Sequence, residues 1–183
     1  MLREALKAFD KAIVSKPDYA EAHFNRSMAL LLAAQFDEAW PEYEWRLRTK
    51  TYGLRTFQQS KWDGSLLDGQ TIFVHSEQGL GDTIQFVRYL PMIKSQGGRV
   101  IFECYPSLYL LLRECPGIET IVERVPSGEP VETFDVHVPL MSLPGIFGTR
   151  LNMIPSQVPY ITADPVLVTE WKNRFDNNDY FKV

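Results

Sequence analysis

The chain has 183 residues, of which 45% are hydrophobic and 23% charged, with a formal net charge of −4. That balance belongs to a folded chain rather than a disordered one, and it offers no basic stripe for nucleic acid or an anionic membrane surface. No apolar stretch approaches the ~20 residues that cross a bilayer, and the charged, amphipathic N-terminus is unlike a signal peptide, so a cytoplasmic chain with no membrane span is expected.

Its length suits one ordinary domain, or a small helical piece followed by an α/β domain. The two cysteines, Cys104 and Cys115, sit in apolar surroundings without CxxC spacing. They read as reduced core residues, with a disulfide as the alternative.

From the N-terminus, Ala5, Leu6, Phe9, Ala12 and Ile13 recur at helical spacing before Pro17 stops the run. A second run carries Phe24, Met28, Leu31 and Leu32, and a third carries Phe36, Ala39, Trp40, Tyr43 and Leu47. Gln35-Phe36-Asp37 reads as the turn between them. Small residues facing aromatics are what closely packed antiparallel helices need. Ala5, Phe9, Ala12 and Pro17 resemble the second helix of a tetratricopeptide repeat, and Ala39 and Tyr43 return at the same phase ~34 residues on. About one and a half such repeats fit in residues 1–50, fewer than the roughly three needed for independent stability. These helices therefore either cap the next domain or present a groove for a peptide partner.

Residues 51–70 contain two Asp-Gly turn signals, at Asp63-Gly64 and Asp68-Gly69, and read as a linker. Trp62 is expected to pack as an anchor between the two parts. From residue 71 apolar strand-like runs alternate with helical ones: strands at 71–75, 100–104, 120–122 and 134–138, helices at 82–95 and 107–113, and a helical turn at 142–147. Pro91 should kink or split the first of these helices. The alternation predicts a Rossmann-like parallel sheet of order 3-2-1-4 over 71–163, with helices on both faces. Asp164-Pro165 opens a last helix in the segment 164–183.

In such a sheet ligands bind at the carboxyl ends of the strands where the order reverses, here beyond His75 and Pro139. The turn after the first strand reads "EQGLGD", Glu77 to Asp82. A dinucleotide fingerprint would need a third glycine where Ile84 stands, and a P-loop would need Gly-Lys-Ser/Thr. Asp82 at a helix start occupies donors that a pyrophosphate would use, while the helix dipole favours its negative charge. It is either a general base at the mouth of the crevice or a helix cap.

Three blocks, "WDG" (62–64), "EQGLGDTIQFVRYLP" (77–91) and "FDVHVPLMSLP" (134–144), resemble the N-terminal half of bacterial glycosyltransferases related to the ADP-heptose lipopolysaccharide heptosyltransferases. More narrowly, they are similar to the group in which that domain follows tetratricopeptide repeats. The resemblance implies the acceptor-side half of a GT-B fold, with a nucleotide-sugar donor held only by a further C-terminal domain. It assigns Asp82 the role of base toward the sugar acceptor (a glycan, lipid or protein) and implies no catalytic metal or cofactor. The chain ends where relatives begin the donor domain, so it reads as a fragment not active by itself. A non-catalytic interaction module on the helices is the alternative function.

Around Asp82, Glu77, Gln78, Gly79, Gly81 and Gln85 are candidates for acceptor binding. His75 and His137, near the ends of adjacent strands, could bind acceptor or tune the base, or simply be hydrogen-bonded strand-end histidines. Ser142 is either a helix cap or an acceptor contact. No close ligand spacing supports a metal site. Exposed edges left by an incomplete repeat array favour self-association into a homo-oligomer.

Overall fold

The computed structural model describes residues 1–52, 55–126, 128, 130 and 132–176. It is an α/β structure in which a helical segment precedes a five-stranded, all-parallel sheet. Helices α1 (Leu2–Ser15), α2 (Ala20–Leu32) and α3 (Phe36–Tyr43) come first, and α3 runs on into a 3-10 turn, Glu44–Arg48. Pro17 stops α1 as expected. The turn between α2 and α3 lies at 33–35, two residues earlier than the sequence suggests, because Ala34 takes a positive φ of 57° and Phe36 already opens α3.

The buried face of α2 differs from the apolar run read in the sequence. Met28 and Leu32 are exposed, while Ala20, His23, Ser27 and Leu30 face inward. Small side chains let the helices approach, and polar ones are admitted because partners exist. Ser27 donates to the Phe24 carbonyl at 2.6 Å, and His23 bonds both Glu42 at 2.7 Å and the Pro17 carbonyl at 2.9 Å. The His23 ring also stacks on Trp45, with ring centres 3.9 Å apart.

The sheet contains β1 (Ser60–Lys61), β2 (Thr71–His75), β3 (Arg99–Cys104), β4 (Thr120–Glu123) and β5 (Val136–Pro139), in the order β1-β5-β2-β3-β4. The four strands read from the sequence are all present in the expected order. The fifth, β1, lies inside the stretch read as a linker and adds to the edge beyond β5, pairing Ser60 with Val136 and Lys61 with His137. It was missed because Ser60-Lys61 is short and polar. An edge strand needs no apolar run.

Between β2 and β3 the chain forms α4 (Leu80–Phe86), a 3-10 turn (Val87–Tyr89) and α5 (Leu90–Ser95). This is the split helix predicted from Pro91, which sits in the first turn of α5 where its missing N–H costs nothing. The short α6 (Tyr109–Leu112) precedes β4, α7 (Leu143–Ile146) follows β5, and α8 (Pro165–Asp176) ends the described chain. Residues 177–183, read as the start of a further domain, lie outside the described residues.

The sheet faces are unequal. Ile72, Val74, Val100, Phe102 and Val138 build the main core with Leu90, Ile93, Leu112, Leu140 and Trp62. The opposite face carries a smaller cluster of Phe73, Ile101, Val122 and Phe134, against which Phe57 packs. Helices on both faces were expected; among the described residues Phe57, which belongs to no helix, packs on this second face.

The helical segment docks on the sheet domain through specific contacts. Trp40 donates its indole N–H to the Thr149 carbonyl at 2.7 Å and lies over Gly145. Trp62 is buried against Phe147 and bonds the Ser65 carbonyl, so it anchors the main core.

Candidate functional site

A parallel sheet brings the carboxyl ends of all its strands to one side, and here each end contributes to a single cleft of about 440 Å³. Lys61 closes β1, His75 and Ser76 close β2, Tyr105 follows β3, Arg124 follows β4, and His137 and Pro139 close β5. Glu77, Gln78, Gly79 and Asp82 line it from the turn after β2, while Tyr52 and Arg55 approach from residues 51–55.

Asp82 stands in the first turn of α4. One carboxylate oxygen accepts the Gly79 N–H at 3.0 Å, so the capping reading is realised. Among the described residues the carboxylate has no further hydrogen-bond partner, and it borders the cleft. Capping fixes the side chain without occupying both oxygens.

Glu77 is held from behind. Arg46, fully buried, reaches its two oxygens at 2.5 and 3.2 Å, and the Met141 N–H adds a third bond at 3.2 Å. Arg46 also donates to Glu44 at 2.7 Å, to the Ser142 hydroxyl at 2.9 Å and to the Tyr43 carbonyl at 3.2 Å. Burial opposes its charge, but Glu77 and Glu44 outweigh burial and raise its pKa above the ordinary value. Gln78 donates to the Tyr43 hydroxyl at 3.0 Å, and burial pushes that phenol up to about 12. Glu77 and Gln78 thus tie the turn to the helical segment as well as facing the cleft.

Ser142 sits at the N-cap of α7 but makes no cap bond. Its hydroxyl goes to Glu44 at 2.8 Å and accepts from Arg46, and it lies outside the cleft wall. Gln85 is exposed and Gly81 has open space around it, and neither borders the cleft.

His75 and His137 are brought together, with ring centres 5.6 Å apart. His75 is buried, and among the described residues neither of its ring nitrogens has a hydrogen-bond partner, nor has Nδ1 of His137. A buried polar group without a partner costs about 1–3 kcal/mol, so unpaired imidazoles in a cleft wall are ready for a ligand. Burial, then the charges of Arg55, His137, Arg124 and Arg46, hold the His75 pKa well below 6.5. Burial, Lys61 and Arg55 bring that of His137 to about 4. Both rings are neutral at pH 7. The reading of these residues as hydrogen-bonded strand-end histidines does not survive for His75. Among the described residues no group of three His, Cys, Asp or Glu is arranged to hold a metal ion.

Sequence reasoning missed Arg46, Arg55, Lys61, Tyr105 and Arg124. The strand-end rule reaches Tyr105 and Arg124, which directly follow β3 and β4. Nothing in the charged run "EYEWRLR" distinguishes Arg46 from a solvated helix residue.

The chain is 27% identical over 180 residues to Protein FlbA of Caulobacter vibrioides, an alignment covering 88% of this chain and 30% of that protein. The chain thus spans under a third of the length of this curated relative. No family model matches it. No solved structure matches it. Among the described residues no helix is long and apolar enough to cross a membrane.

Proposed function

We propose that the chain is the acceptor-side portion of a glycosyltransferase that moves a sugar from a nucleotide-sugar donor to a glycan, lipid or protein acceptor. The observation that carries this is Asp82: a capped carboxylate at the rim of a cleft built from the carboxyl ends of five parallel strands. As the acceptor oxygen attacks the anomeric carbon, Asp82 takes its proton, the bond from that carbon to the diphosphate breaks, and nucleoside diphosphate leaves. The motif resemblance from Trp62 to Pro144 supports the same reading and implies a donor held by a further domain.

The test uses the full-length protein with a panel of UDP-, GDP- and ADP-sugars, reading nucleoside diphosphate release. Asp82→Asn should lower turnover by ~10²-fold or more with circular dichroism unchanged. Undiminished turnover in that variant removes Asp82 from the chemistry. No turnover by the wild-type protein with any donor refutes the enzymatic reading.

A partner-binding role for the helices draws on Val14, Met28 and Leu32, which are exposed on α1 and α2. It predicts binding of a peptide partner that Asp82→Asn leaves intact and Met28→Asp with Leu32→Asp abolishes.

A further inference from the structure

We infer that the cleft is an anion site, which takes its ligand through a carboxylate or phosphate group set against Arg55, Lys61 and Arg124, over the imidazoles of His75 and His137. Calling that ligand the sugar acceptor rests on the glycosyltransferase reading; the anion preference stands on the cleft itself.

The chain as a whole is acidic, with 23 Asp and Glu against 19 Lys and Arg. Its cleft has the opposite bias. Three cationic side chains enter the wall from three separate segments, residue 55 and the ends of β1 and β4. The wall carboxylates are Glu77, engaged by Arg46, and Asp82, engaged by the Gly79 N–H.

Two of the three cations are held in place by carboxylates. Both terminal nitrogens of Arg55 grip Glu103, at 2.5 and 3.1 Å, and one also donates to the Gly128 carbonyl, while among the described residues its buried Nε has no partner. Lys61 is steadied by Glu44, a carboxylate already shared with Arg46 and Ser142. Arg124 contacts the Tyr105 hydroxyl at 3.5 Å and, among the described residues, pairs with no carboxylate. A fixed guanidinium with donors to spare is the preferred partner of planar oxyanions.

Among the described residues both ring nitrogens of buried His75, Nδ1 of His137 and the Ser76 hydroxyl have no partner, and His75, Ser76 and His137 all line this cleft. These are donors and acceptors kept in register by backbone pairing of β2 with β5, where His75 lies opposite Pro139 and Phe73 opposite His137. Burial first, and then the neighbouring cations, keep both imidazoles neutral, and an anion would relieve the cationic part of that field. A volume of about 440 Å³ suits a single charged sugar or sugar phosphate.

The experiment titrates the full-length protein with glucuronate, glucose 1-phosphate and glucose by calorimetry, and follows the His75 and His137 ring resonances by NMR. At least one anion should bind at least ~10-fold tighter than glucose and shift both histidines. The arm that binds tells a carboxylate from a phosphate. Arg124→Gln should weaken that binding by ~10-fold or more without lowering the melting temperature, and Lys61→Gln provides a second variant should the first misfold. Equal binding of glucose, unmoved histidine signals, or full affinity in both variants overturns the inference. Asp82→Asn separates it from the functional proposal. Anion binding retained while wild-type turnover is absent leaves the anion site and removes the enzyme. Turnover without anion binding does the reverse.

Discussion

Arg46 has no exposed surface, and its guanidinium meets the Glu77 carboxylate at 2.5 Å across the joint between the helical segment and the sheet. The two residues are 31 positions apart, one on the 3-10 turn after α3 and the other in the turn after β2. Through this pair the helices hold one wall of the cleft, and Tyr43, Glu44, Gln78 and Ser142 extend the network on both sides.

Removing one partner of a buried pair strands the other. Arg46→Ala should therefore cost about 3–5 kcal/mol, read from urea unfolding followed by circular dichroism. A loss under ~1 kcal/mol would mean that the joint is held by packing alone.

Acid should weaken the fold through the histidines of the cleft. The folded-state pKa of His137 is about 4 against 6.5 for a free imidazole, and that of His75 is also lowered. Between those values the unfolded chain binds more protons, so their contribution is complete above pH 6.5 and declines as pH falls toward 4. The urea midpoint should fall across this window, and His137→Asn should flatten the decline. An unchanged slope in that variant would contradict the neutral, buried imidazole.

Two glycines make opposite predictions. Gly117 has φ +89°, and a β-carbon there would lie 2.6 Å from the Leu90 carbonyl carbon and 2.8 Å from Cα of Pro91. Gly117→Ala should cost about 2–5 kcal/mol by backbone strain and overpacking together. Gly81, in the first turn of α4, has nothing within 4 Å of such an atom. Gly81→Ala should match or exceed wild-type stability by up to ~1 kcal/mol. Thermal unfolding of the pair checks both signs.

The thiols should be inert in the folded protein. Cys104 and Cys115 are free and buried, and burial with the neighbouring Glu123 and Glu103 pushes Cys104 up to about 12. A disulfide-exchange reagent at pH 8 should label neither until denaturant is added. Fast labelling of the native protein would place one of them at the surface.

Much of this architecture is written locally. The run "TIFVH" is a buried strand in which four of five side chains are buried, three of them in the core, and Pro91 divides its helix because a proline cannot donate. The strand order followed from alternation, and with it the crevice beyond β2 and β5. Local pattern failed where burial depends on a distant partner. Met28 and Leu32 look like core and are exposed, whereas His23 and Ser27 look like surface and are buried, because Glu42 and the Phe24 and Pro17 carbonyls satisfy them.

By itself the sequence determined that strands alternate with helices, that a helical segment precedes them, and that a carboxylate rather than a phosphate cradle follows β2. These are properties of hydrophobic period, proline and glycine, each settled within a few residues. Only the tertiary structure decided that Arg46 belongs to the interior, that Ser60-Lys61 completes the sheet, and that Arg55, Lys61 and Arg124 share one cleft wall with His75 and His137. A charged side chain carries no local sign of its partner: whether it meets water or a carboxylate dozens of residues away is settled by how the chain closes on itself.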